Sequence, residues 1–155
     1  MADLEGRIAE QLALHPDGTI FGSLPRAGQV RAAALLAEIG DVRERFPTPE
    51  SLACLAGAAP STRQAGQHLS VTFRYACGKK LRDALIDFAE DNRFATARAA
   101  DVYRRAIERK KTHPHAARIL ARAWVYVTWR CWQDHVPYDP ARHRALQEVL
   151  RAQAA

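Results

Sequence analysis

No apolar run in this 155-residue chain approaches the roughly 20 residues that a membrane-spanning helix needs, so no such helix is expected. Met1–His15 carries Asp3, Glu5 and Glu10 and has no apolar signal core, which argues against secretion. Cysteine is scarce. Cys54, Cys77 and Cys131 are an odd number with no close pair, as in a reduced, cytoplasmic protein rather than a disulfide scaffold. With no CxxC pair, the only metal-ligand types in loose proximity are His113, His115, Cys131 and His135. Cys131 falls on an apolar helical face, so no metal is expected in this chain. Internal repeats and low-complexity linkers are also missing.

Acidic charge is in short supply after residue 60. Residues 1–60 hold five Lys/Arg against eight Asp/Glu, whereas residues 61–155 hold eighteen against nine, so the whole excess of +6 lies in the second part. A one-sided basic surface suits a polyanion through phosphate neutralisation and counterion release, and equally suits solvated arginines on helices.

Abundant alanine, with Gly and Pro clustered at element boundaries, points to a mainly α fold. Leu4, Ile8 and Leu12 predict a short helix over 4–14, ended by His15-Pro16-Asp17-Gly18. A second helix is expected over 29–39, closed by Gly40. Thr48 is a suitable N-cap and Pro49 a suitable first helical residue for a third. Leu69–Tyr75 alternates and is rich in β-branched and aromatic residues, predicting a short β-hairpin or extended segment near 62–75. The helical period returns at Lys79, with Leu81, Leu85, Phe88 and Ala89 on one face. Further helices are expected over about 96–111 and 114–134, the last with Leu120, Ala123, Trp124, Val127 and Cys131 as its buried stripe. Trp129 and Trp132 are expected at a core edge or an interface, with base stacking as the alternative. The expected organisation is a helix stub over 1–18, a compact domain over 19–140 and a helical tail over 141–155.

Leu24-Pro25-Arg26-Ala27-Gly28 followed by an alanine-rich helix reads in two ways. It is a plain tight turn, or it is the second half of a helix-hairpin-helix motif, in which backbone N–H groups at a helix start meet a phosphate. In the second reading Gly28 allows the approach, Arg26 and Arg31 supply charge, and Arg26 stands where the first hairpin glycine usually stands.

The order of these motifs resembles a known family. Ala34-Leu35-Leu36-Ala37-Glu38-Ile39-Gly40-Asp41 is followed by Arg45-Phe46-Pro47-Thr48-Pro49-Glu50-Ser51-Leu52-Ala53. Then come Leu55-Ala56-Gly57-Ala58-Ala59-Pro60, Arg63-Gln64-Ala65-Gly66, Lys79-Lys80-Leu81-Arg82 and Pro137-Tyr138-Asp139-Pro140. Over roughly residues 20–142 this resembles the C-terminal transposase domain of the IS-one-ten/IS-one-sixteen insertion-sequence family of RNA-guided recombinases. The resemblance implies DNA, a structured guide RNA and either further copies or full-length transposase as partners, in a bacterial, nucleoid-associated setting without a membrane. It implies that the serine attacking a DNA phosphodiester precedes the loop glycine, a position held here by Ala65. It also implies a magnesium-binding acidic domain, for which the residues before 20 leave no room. The expected role is therefore nucleic-acid binding in transposition and DNA recombination without catalysis. The expected contacts are Arg63, Gln64, Gly66 and Arg74 around the loop, Lys79, Lys80 and Arg82 at the next helix start, and Arg26, Gly28 and Arg31 at the hairpin turn. The alternatives are one half of a split recombinase, or an oligomerisation module that binds no nucleic acid.

Overall fold

The computed structural model describes residues 2–143 together with Glu148, Arg151 and Ala152. Among them the chain runs as α1 (Ala2–Leu14), α2 (Gly18–Gly22), α3 (Gly28–Ile39), a 3-10 turn (Arg43–Arg45), α4 (Pro49–Leu55), β1 (Ser61–Ala65), β2 (His68–Thr72), α5 (Lys79–Asn92), α6 (Ala97–Glu108), α7 (His113–Gln133) and a second 3-10 turn (Pro140–His143). The mainly α expectation is met, with one small β-hairpin. Most of the tail expected over 141–155 lies outside the described residues.

Helix α7 is the hub and packs against α2, α4, α5 and α6. At 21 residues it is about 31 Å long, enough to reach across a small domain. Its Leu120, Trp124, Val127 and Cys131 are buried as the periodicity predicts, while Ala123 is only partly buried. Trp132 is fully buried. Its indole N–H donates to Asp17 Oδ2 at 3.1 Å, and that of the half-buried Trp129 donates to the Phe46 carbonyl at 2.8 Å. Both tryptophans are thus structural, and base stacking is not open to Trp132. On α5, Leu81, Leu85, Phe88 and Ala89 are all buried, with the Phe88 ring edge-on to Trp124. Thr48 caps α4 by accepting the Ser51 N–H, and Thr96 caps α6 by accepting the Ala99 N–H.

The N-terminal part departs from the sequence reading in one respect. Gly18, expected to end a turn, instead opens the five-residue helix α2, whose Ile20 and Phe21 enter the core. Helix α1 packs on α3, with Leu12 buried and Leu4 left exposed. Asp17, at the junction, is buried and accepts from Arg43 Nη2 at 2.6 Å as well as from Trp132. Burial acts to raise its pKa. The hydrogen bonds from Arg43 and Trp132 and the charge of Arg43 outweigh that and hold it below the usual aspartate value.

Candidate nucleic-acid interface

The hairpin is set by its turn. Ala65 pairs with His68, leaving a two-residue loop, and Gly66 takes φ +59 at the first loop position, as a type II′ turn requires. Antiparallel register then places Ser61, Arg63, Ala65, His68, Ser70 and Thr72 on one face, with Thr62, Gln64, Leu69 and Val71 on the other. Ala65 is exposed near the tip, directly opposite His68, and Arg63 is its next neighbour on the same face. Sequence reasoning missed His68. The signal was the loop glycine itself, because a two-residue turn couples the residue before it to the one after.

Neither of the hydroxyls just before Ala65 in the sequence, Ser61 or Thr62, stands at its position. Ser61 shares its face but lies four residues back, about 13 Å along the strand, and Thr62 points to the opposite face. A nucleophile must stand within about 3–3.5 Å of the atom it attacks.

The base of the hairpin is pinned to the helical body. Arg74 donates from Nε to the Ala59 carbonyl at 3.3 Å and from Nη2 to that of Pro60 at 3.4 Å. The Gly78 N–H donates to the Leu55 carbonyl at 2.7 Å, seating the start of α5 on the end of α4. Between these ties Gly57 has φ +66, and a Cβ there would lie 2.8 Å from Cys77 Sγ and 3.1 Å from its Cβ. Gly57→Ala is therefore expected to cost about 1–3 kcal/mol. The fall in Tm should be about 2–4 °C for each kcal/mol, read by calorimetry. Adding Cys77→Ala should recover only the part due to the Sγ clash, leaving the close Cβ contact and the part due to φ.

Ion pairing divides the expected contact residues into three groups. Arg26 and Arg31 at the α2–α3 turn both pair with Asp91, and Arg31 also with Asp87, across to α5. Arg26 takes the left-handed φ of +53 that the hairpin motif gives to glycine, and Gly28 follows at φ +62. The Asp87 hydrogen bond foremost holds the Arg31 guanidinium above its ordinary pKa, and Asp83 does the same for Arg82. Arg74 is held by carbonyls. Arg63, Lys79 and Lys80 are exposed and have no carboxylate partner among the described residues, and Gln64 is bonded only to the Gly66 carbonyl, at 3.5 Å.

Lys79 and Lys80 are also in an unfavourable place. They occupy the first turn of a 14-residue helix that has no acidic residue there and no side-chain cap, where the helix dipole favours anions. The run Arg109-Lys110-Lys111 follows the C-terminus of α6, where cations are favoured without any ligand. Of the other like-charged pairs, Arg105 bonds Asp101, Arg118 lies over the Phe73 ring and Arg122 reaches the Tyr126 hydroxyl.

The residues His113, His115, Cys131 and His135 do not come together as one ligand set. His113 and Cys131 stand 18 residues apart on α7, about 27 Å, so the set read from sequence cannot converge. The cluster found among the described residues is His15, Asp17 and Asp41. Both Asp17 oxygens are already engaged by Arg43 and Trp132, and Asp41 is bonded to His15, so magnesium does not fit these residues.

Comparison with known proteins places this arrangement. The chain is 32% identical over 152 residues to a mini-circle protein of IS117 from Streptomyces coelicolor, covering 98% of this chain and 36% of that protein. It is 32% identical over 137 residues to the uncharacterised 43.6 kDa protein of insertion element IS110 from the same organism, covering 88% of this chain and 34% of that protein. It is 30% identical over 150 residues to the uncharacterised 42 kDa protein of insertion element IS900 from Mycobacterium paratuberculosis, covering 91% and 36%. The chain thus spans about a third of the length of the curated relatives it matches. Residues 18–104, which include both the α2–α3 turn and the β-hairpin, match the family model, and the chain belongs to the transposase IS116/IS110/IS902 family.

Proposed function

We propose that this chain is a nucleic-acid-binding transposase domain that holds DNA, or structured guide RNA, against the β1–β2 hairpin and the start of α5 without cutting it. The observation that carries the reading is the set of three exposed cations, Arg63, Lys79 and Lys80, with no carboxylate partner among the described residues, two of them set against a helix dipole. A phosphate backbone supplies the missing negative charge. A two-stranded ribbon also has the width to enter a duplex major groove. Position 65 is chemically silent because a methyl group cannot form a phosphoserine link. Arg26 and Arg31 contribute at most weakly, since a phosphate there competes with Asp87 and Asp91.

Titrating labelled duplex DNA and a folded RNA hairpin between about 50 and 200 mM salt tests this. Binding that weakens steeply and log-linearly with salt, with little sequence preference, is the expected result. Salt-independent affinity, or oligomers forming with no mobility shift on either nucleic acid, would instead leave a helical oligomerisation element.

A further inference from the structure

Leaving the hairpin, the chain runs through Phe73, Arg74 and Tyr75 before α5 begins. Phe73 is held from below by Arg118, whose guanidinium carbon lies 3.9 Å from the ring centroid. Arg74 is tied to the Ala59 and Pro60 carbonyls. Tyr75 sets its ring at 83° to that of Phe73 with centroids 5.0 Å apart, yet is 78% exposed, the most exposed of the large hydrophobic side chains among the described residues. An aromatic whose two preceding neighbours are fixed, and whose own ring rests on one of them, loses little further freedom when something stacks on it.

The surroundings specify what stacks there. Tyr75 lies four residues before Lys79 and five before Lys80, within about 14 and 18 Å along even a fully extended chain. It lies three residues beyond the end of β2, whose Ser70 faces Arg63. All three of these cations lack a carboxylate partner among the described residues. A protein surface docking on Tyr75 would have to bring acidic residues to meet them. A nucleic-acid strand brings phosphates and a flat π-surface together, the combination that aromatic-plus-basic single-strand sites use.

We infer that Tyr75 is a stacking platform for an unpaired nucleobase, so that the site takes single-stranded or locally unpaired nucleic acid, DNA or RNA, at the hairpin base. The inference rests on the nucleic-acid reading above and deepens it: the three cations hold the backbone while Tyr75 takes one base. Trp129 and Trp132, the aromatics that sequence alone puts forward for stacking, are engaged inside the fold.

The test compares Tyr75→Ala and Tyr75→Phe with the unaltered chain on three probes of equal length, single-stranded DNA, single-stranded RNA and fully paired DNA. A 2-aminopurine base in the single-stranded DNA reports stacking directly by quenching. Tyr75→Ala should lose about 5- to 150-fold in affinity for one or both single strands and most of the quenching, the range for one base on one aromatic. Its affinity for the duplex and its Tm should be unchanged, and Tyr75→Phe should behave as the unaltered chain. The single strand with the larger loss identifies the nucleic acid that supplies the base. Equal affinities of Tyr75→Ala and the unaltered chain for every probe that binds overturn the platform and leave the binding role intact. Failure of the unaltered chain to bind any probe overturns both.

Discussion

Asp17→Ala is expected to destabilise the domain by about 3–5 kcal/mol, the cost of leaving one partner of a buried ion pair uncompensated. The Asp17 side chain is 6% exposed and that of Arg43 19%. Arg43 is not free to swing out, because its Nε donates to the Trp132 carbonyl at 2.9 Å and its guanidinium lies 5.0 Å from the centroid of the Trp132 ring. Removing the carboxylate therefore strands a guanidinium and an indole N–H in one place. Tm should fall by about 2–4 °C for each kcal/mol lost. Asp17→Asn should be milder, because an amide oxygen still accepts from Trp132. The pH dependence has a definite sign. The folded pKa of Asp17 is lowered, so its contribution is complete above the unfolded aspartate value of about 3.9 and is lost as pH falls through the lower, folded value. Urea unfolding of Asp17→Ala and the unaltered chain from pH 7 down to pH 2 should converge only at the acid end. A constant gap between them across that range would show that the pair contributes by packing alone.

Neutralising Arg63, Lys79 and Lys80 together to glutamine should flatten the salt dependence of nucleic-acid binding. Each lost duplex phosphate contact removes about 0.9 from the slope of log affinity against log salt. Three contacts make the affinity ratio of the unaltered chain to the variant shrink roughly 40-fold between 50 and 200 mM salt. The same substitution in Arg104 and Arg105, which pair with Asp101 on their own helix, should leave the slope unchanged. Stability moves the other way. Cations at a helix start oppose its dipole by an amount typically about 0.3–1 kcal/mol, so removing Lys79 and Lys80 should not lower Tm. A variant that loses both binding and Tm would mean that these side chains support the fold instead.

Local chemistry was legible wherever it works over a few residues. Thr48-Pro49 sets a helix start through capping and a fixed φ, and both appear in the structure. The stripe Leu81, Leu85, Phe88 and Ala89 follows from the 3.6-residue period and is buried. Alternation in 69–75 exposed the hairpin, although the strand itself stops at Thr72, where Phe73 and Arg74 turn to Arg118 and to carbonyls near residue 60. Helix α2 was missed because five residues carry too little periodicity to detect, and its helical form depends on burying Ile20 and Phe21.

By itself the sequence determined the helical class, the main helix boundaries, a hairpin or extended segment near 62–75, and the family, since each rests on residue type and short spacing. Only the tertiary structure decided which charges are paired within the fold and which are not. Arg31 meets Asp87 from 56 residues away and Arg43 meets Asp17 from 26, whereas Lys79 and Lys80 meet no carboxylate among the described residues. The reason is physical. Propensity and periodicity act through neighbours along the chain, but an ion pair depends on the separation of two side chains in space, which the packing of the helices sets.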